Sequence, residues 1–257
     1  MTSSTMPSRR RCQLFASAPA VGFGLAVIAL LLLAAAPLGW RAGWWPYGVS
    51  LQKLLPYAAY AALAGGVISA LALVFGRGAL GRRGLVMAVA GLAVGAGVAY
   101  VPWHWNNVRL SVPPINDITT DTSNPPTYSD VLAARKAEDS NPVTYDPKTA
   151  ALQRQAYPDI APVILPLHPS DAFTKVLAAA KSMKGWTIVA SDPATGHIEA
   201  SQTSYWMHFT DDVVIRVAKD EDGSRVDIRS HSRHGRGDFG VNAARVRGYL
   251  SALRAGR

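Results

Sequence analysis

Two stretches of the chain alternate charged and apolar side chains closely enough to build a polar surface. In residues 212–218, Asp212 and Arg216 fall opposite Val213, Ile215 and Val217; in residues 225–232, Asp227 and Arg229 fall opposite Val226 and Ile228. A period of two assigns alternate residues to opposite faces of a strand. Paired as a hairpin about the turn at 220–223, the two strands would bring two carboxylates and two guanidiniums onto one face. Guanidinium groups suit bidentate capture of a carboxylate or phosphate. Upstream, Asp117, Thr120 and Asp121 lie in a Pro-rich segment that could cross that face. The same pattern also suits cross-strand ion pairs and anchors with a purely structural job.

The run Ser-Arg-His-Gly-Arg-Gly-Asp-Phe-Gly at 232–240 adds Arg233 and Asp238. Backbone amides of such a loop at a helix start can cradle an anion. Asp238 serves equally as the helix cap. Ser230, His231, Ser232 and His234 are the residue types of a hydrolase, but no G-x-S-x-G elbow is present. Neighbouring residues of one strand also point to opposite faces. His231-x-x-His234 lacks the partners of a metal motif, and the lone Cys12 permits no intrachain disulfide. The sequence therefore singles out no catalytic residue, metal ligand or cofactor. Its candidate ligand-binding residues are Asp117, Thr120, Asp121, Asp212, Arg216, Asp227, Arg229, Arg233 and Asp238.

The elements that must position these residues follow from hydropathy. From residue 163 the pattern reads strand, helix, four strands and helix (β-α-β-β-β-β-α). That order predicts a two-layer α+β domain over 163–257, an antiparallel sheet with helices on one face. Ser170 is the expected cap of its first helix, and one strand is expected to run from His197 to Phe209. Residues 106–162, rich in Pro, Asp, Ser and Thr, read as an extended strap over that domain, with a short helix at 131–137.

Ahead of the strap, residues 1–105 hold three uncharged apolar runs, at about 21–38, 54–75 and 84–101. Each is long enough to span a bilayer core of about 30 Å at 1.5 Å per residue. Trp40, Trp44, Trp45 and Tyr47 follow the first run, and Tyr100, Trp103 and Trp105 follow the third. Such rings favour the headgroup layer. Gly91-x-x-x-Gly95 suits close helix contact. Arg9, Arg10 and Arg11 precede the first run, while Arg77, Arg82 and Arg83 crowd the second loop. Positive-inside bias then predicts a bacterial inner-membrane protein with a cytoplasmic N-terminus and a periplasmic C-terminal domain.

All 17 acidic residues lie at or after Asp117, so the excess behind the net charge of +9 belongs to the membrane part. A nearly neutral folded domain argues against nucleic acid as a partner. The expected partners are the lipid bilayer and an envelope protein or small anionic ligand.

Three blocks in order carry a resemblance. They are Asn116-Asp117-Ile118-Thr119-Thr120-Asp121 with Pro125-Pro126, then 210–217 (TDDVVIRV), then 226–243 (VDIRSHSRHGRGDFGVNA). These resemble the family called domain of unknown function 1499, with Asn116 standing where many members carry His. The resemblance implies an often membrane-anchored protein and supplies no activity or catalytic residue. The expectation is an extracytoplasmic domain that binds an envelope component. The alternative is an enzyme acting on an anionic or lipid-derived substrate through an Arg/Asp-lined groove.

Overall fold

The structure, a computed structural model, describes the backbone of residues 8–76, 78 and 80–256 and the side chains from Ser17 onward. The side chains of Arg9, Arg10, Arg11 and Cys12, and all of Arg77, lie outside the described residues. The chain divides into two compact units, 1–107 and 108–257.

In the first unit, α1 (Ser8–Arg41) is followed by the short turn α2 (Tyr47–Val49), a π-helical stretch Ser50–Leu54, α3 (Leu55–Phe75) and α4 (Arg82–Ser111), whose last four residues belong to the second unit. Segments of 25, 29 and 30 residues, Ser17–Arg41, Tyr47–Phe75 and Arg82–Ser111, are long and apolar enough to cross a membrane. The third runs ten residues beyond the expected end at 101, because Pro102 and the aromatic run behind it do not interrupt the helix.

Small residues let these helices touch backbone to backbone. A Cβ on Gly95 would stand 2.7 Å from the Ala62 carbonyl and 2.8 Å from Gly66 Cα; one on Gly65 would stand 2.7 Å from the Gly22 carbonyl. Ser50 Oγ donates to the Ala36 carbonyl (2.6 Å) and accepts from Trp45 Nε1 (2.9 Å), which fixes the turn between α1 and α3.

The second unit is built on one six-stranded antiparallel sheet. Its elements in order are β1 (Asp117–Thr119), α5 (Leu132–Ala137), α6 (Pro147–Ala156), β2 (Val163–Leu165), α7 (Pro169–Ser182), β3 (Trp186–Asp192), β4 (His197–Thr203), β5 (Thr210–Asp220), β6 (Gly223–Ser232) and α8 (Val241–Arg254). The sheet order is β1-β6-β5-β4-β3, and β2 also pairs with β6. From β2 onward this is the expected α+β order. The segment expected to be an extended strap with a short helix at 131–137 contains that helix as α5, and contributes in addition the strand β1 and a second short helix, α6. Asp146 caps α6 by accepting from the Lys148 amide (2.9 Å), with Pro147 in the first turn.

Helices α7 and α8 cover one face. Phe173, Val176 and Ala180 from α7, with Val246, Tyr249, Leu250 and Leu253 from α8, bury Ile198, Val213, Ile215, Val217, Val226 and Ile228 of the sheet. Each large apolar side chain so buried contributes about 1.5–3 kcal/mol. Two local expectations differ from the structure. His168, not Ser170, caps α7, because Pro169 fits the first helical position, where no amide hydrogen is needed. The strand expected over 197–209 ends at Thr203, where Ser204 Oγ accepts from the Phe209 amide and the Phe209 carbonyl accepts from the Ser204 amide, closing a loop.

Candidate functional site

The opposite face of the sheet is where the alternation assigned the charged residues, and the register brings them together. Asp212 lies across from His231, and Arg216 from Asp227. Residues 117–146 close over this face and meet its charges one by one.

Arg229 is the first anchor, only 2% exposed. Its Nε and Nη2 donate to the two oxygens of Asp117 (2.8 and 2.7 Å), Nη1 to the Pro126 carbonyl (3.1 Å) and Nη2 to the Val143 carbonyl (2.6 Å). The rings of Tyr128 and Tyr145 lie 5.1 and 5.4 Å from the guanidinium carbon. Burial works against its charge, yet the bonded Asp117 outweighs that and holds the Arg229 pKa above its ordinary value.

Asp212 is the second anchor. It accepts from Arg135 Nη1 (2.7 Å), from Arg233 Nε and Nη2 (2.9 and 2.8 Å) and from Ser201 Oγ (2.6 Å). Burial would raise its pKa, but these donors bring it below the usual carboxylate range. Asp227 accepts from Thr120 Oγ1, Arg216 and Arg225, and Asp121 pairs with Arg225 (2.8 Å) while capping the amides of Ser123 and Asn124. Asp238 accepts from the Gly240 and Asn242 amides (2.8 and 2.6 Å), so it holds the first turn of α8. All nine residues singled out in the sequence thus have partners within the fold, and eight of them are engaged more fully than Arg216.

His231 sits inside this network. Its Nδ1 lies 3.3 Å from Arg135 Nη2, which can only donate, so the ring is a neutral acceptor there. Burial is the main cause pushing its pKa down to about 4; Arg135 and Arg229 add to it, and Asp117 and Asp212 oppose it. The unfolded chain, with an ordinary histidine near 6.5, binds a proton that the folded chain refuses between about pH 6.5 and pH 4. Stability should be intact above that window and fall as pH drops through it. The loss approaches about 3 kcal/mol, since each pH step of one across the window is worth about 1.36 kcal/mol. Urea unfolding of the full chain at about pH 7 and about pH 4.5 should show the loss, and His231→Gln should remove most of it. His234, also lowered chiefly by burial, has the same sign and supplies the residual slope.

Arg216 is the exception among the nine. Only its Nη2 is engaged, with Asn124 O and Asp227 Oδ2 (both 3.0 Å) and Asp121 Oδ2 (3.4 Å). Its side chain remains 27% exposed on the wall of a cleft bounded by Pro126, Ser129, Asp130, Asp192, Thr195 and His197. The Gly196 turn shapes the rim: φ is +69°, and a Cβ there would collide with the Val217 carbonyl.

Beside Arg216 stands a cluster that lies outside the residues singled out in the sequence. Fully buried Glu199 accepts the amides of Ser129 (2.5 Å), Asp130 (3.1 Å) and Val131 (2.8 Å), which orients the chain entering α5. His197 Nε2 lies 2.9 Å from Glu199 Oε1, 3.2 Å from Ser129 Oγ and 3.7 Å from Asp130 Oδ2. One ligand atom each from Asp130, His197 and Glu199 fit within 4.8 Å, a donor set that a divalent cation could use. Glu199 already spends both oxygens on backbone amides, so its evident work is the clamp on that turn. A serine–histidine–acid relay needs serine and acid on different ring nitrogens. Here both face Nε2, which is not that geometry.

The signal for this cluster was present as alternation, since His197 and Glu199 oppose Ile198 just as Asp212 opposes Val213. Arg135 and Tyr128, which come from the covering segment, had no such signal.

A family model described as a protein of unknown function, DUF1499, matches residues 117–253, more than half of the chain. No curated protein and no solved structure matches it.

Proposed function

The chain belongs to the DUF1499 family, and on that premise we propose that it is a bacterial inner-membrane protein whose C-terminal unit lies in the periplasm and binds an envelope component without catalysis. The three apolar helices and the charge bias of their short loops support this placement. The observation that carries the binding reading is Arg216. Its Nε and Nη1 make no hydrogen bond among the described residues, and it borders an open cleft lined also by serine and threonine hydroxyls, His197 and the carboxylates of Asp130 and Asp192. The two unengaged guanidinium nitrogens, with the hydroxyls, would hold a small anionic group, a phosphate or carboxylate, by charge-assisted hydrogen bonds, and the two aspartates would accept from hydroxyl groups of the same ligand. The ligand is then an envelope metabolite or headgroup carrying that anion.

Calorimetric titration of the detergent-solubilised full chain with glycerol phosphate should give saturable binding. Arg216→Ala should weaken it by about 10- to 100-fold, the value of a hydrogen bond to a charged group. No saturation, or equal affinity in the variant, would remove the cleft from consideration. Alkaline phosphatase fused after Arg257 should be active in cells if the unit is periplasmic.

A second reading, an enzyme acting on an anionic or lipid-derived substrate, is favoured by Asp130 and His197 standing in the same cleft as Arg216. Turnover of a phosphate ester that His197→Gln abolishes while binding persists would select it.

A further inference from the structure

A different surface of the C-terminal unit points to another partner. Four exposed large apolar side chains belong to two loops: Tyr205 (94% exposed) and Trp206 (42%) between β4 and β5, and Phe239 (42%) and Val241 (44%) at the entry to α8. Both loops lie at one end of the sheet. The Arg233 amide donates to the Thr210 carbonyl (3.0 Å), and the rings of Phe209 and His234 are 6.2 Å apart. The chain enters the unit at that same end. The Ser232 amide donates to the Asn116 carbonyl (3.0 Å), Gly237 packs on Pro114, and Gly240 packs on Val112. Only five residues separate the end of α4 at Ser111 from β1 at Asp117.

The loops are held in place against ordinary backbone preference. His208 (φ 55°) and Phe239 (φ 57°) are two of the three non-glycine residues with positive φ among the described residues. Residues other than glycine seldom adopt that region, and it collects at functional sites. Neither loop presents an acidic side chain outward: 204–209 contains none, and Asp238 turns inward onto the α8 amides. Arg236, three residues before Phe239 in the same loop, is exposed. Tyrosine and tryptophan partition to the headgroup layer, where one edge of the ring is wet and the other apolar. A basic residue beside them favours an anionic lipid surface.

We propose that residues 204–209 and 236–241 form a lipid-docking edge, which seats this end of the C-terminal unit in the headgroup layer of an anionic membrane. The cleft at Arg216 and His197 lies at the other end of β4, so it stays open to solvent when the edge is docked. The proposal uses neither Arg216 nor the ligand of that cleft, and its failure would leave the anion-binding reading untouched.

The test uses the full chain with Cys12→Ser and a single nitroxide label at Tyr205→Cys or, at the opposite end of the sheet, Asp222→Cys. Both positions are exposed, so neither label should disturb folding. The protein is reconstituted in vesicles of phosphatidylcholine and phosphatidylglycerol at low protein density. The expected result is that oxygen collides with the label at 205 several-fold more often, relative to an aqueous nickel chelate, than with the label at 222. That ratio should also fall towards the value at 222 when phosphatidylglycerol is omitted and Arg236→Gln is introduced. Equal aqueous accessibility at 205 and 222 would overturn the proposal. Protection at 205 that rises with protein density and ignores lipid composition would also overturn it, and would identify a second copy as the occupant.

Discussion

Arg229→Ala should release the covering segment from the sheet, with protection of amides in β1 and residues 126–145 falling by two orders of magnitude or more. The variant leaves the Asp117 carboxylate buried without its bidentate partner, and the Pro126 and Val143 carbonyls without a donor. Breaking one side of a buried pair costs about 3–5 kcal/mol, because the remaining charge is stranded in a medium that cannot solvate it. Tyr128 and Tyr145 also lose the cation packed between them. Hydrogen exchange of the full chain in detergent reads this directly, since α7 and α8 pack on the other face and should keep most of their protection. Arg229→Lys should recover little, because an ammonium cannot make the planar fork to Asp117. Uniform loss across the whole C-terminal unit would mean that the covering segment and sheet fold as one cooperative body. No loss anywhere would contradict the anchor.

Asp212→Ala should be of similar size and opposite sign of stranded charge. Two buried guanidiniums, Arg135 and Arg233, converge on this carboxylate, and the variant leaves Arg135 without a carboxylate and Arg233 with the more exposed Glu138 alone. About 3–5 kcal/mol is again the expected cost. Asp212→Asn should be only partly milder, since its amide group presents hydrogens to one of the arginines. Adding Arg135→Met to Asp212→Ala should restore a measurable part, because it removes the guanidinium left without a carboxylate. A double-mutant cycle on thermal midpoints would read that coupling. If Asp212→Ala alone melts with the parent protein, the network is not a stabilising element.

These two expectations govern how function can be tested. Substituting Asp212 or Arg229 confounds any ligand role with unfolding of the covering segment. Arg216 escapes this, because it is half engaged, borders the cleft and shares Asp227 with Arg225. Its replacement removes a guanidinium from the cleft wall while Asp227 keeps a guanidinium partner.

The apolar spans needed no tertiary information. Their length and uniform hydrophobicity are properties of consecutive residues, and so is the alternation that placed Val213, Ile215, Val226 and Ile228 inward and Asp212, Arg216, Asp227 and Arg229 outward. The fold class followed from that alternation and from the apolar spacing of α7 and α8. Other features depended on partners distant in the chain. Whether the charged face was a groove or a clamp turned on where residues 117–146 lie, and their low hydropathy carries no periodic signal of that. Their anchors reach across 77 residues from Arg135 to Asp212, 112 from Asp117 to Arg229 and 70 from Ser129 to Glu199. A carboxylate reads the same in sequence whether water or a guanidinium solvates it. Only the closure of the covering segment brought partners to these charged residues, and it left Arg216 on the wall of an open cleft.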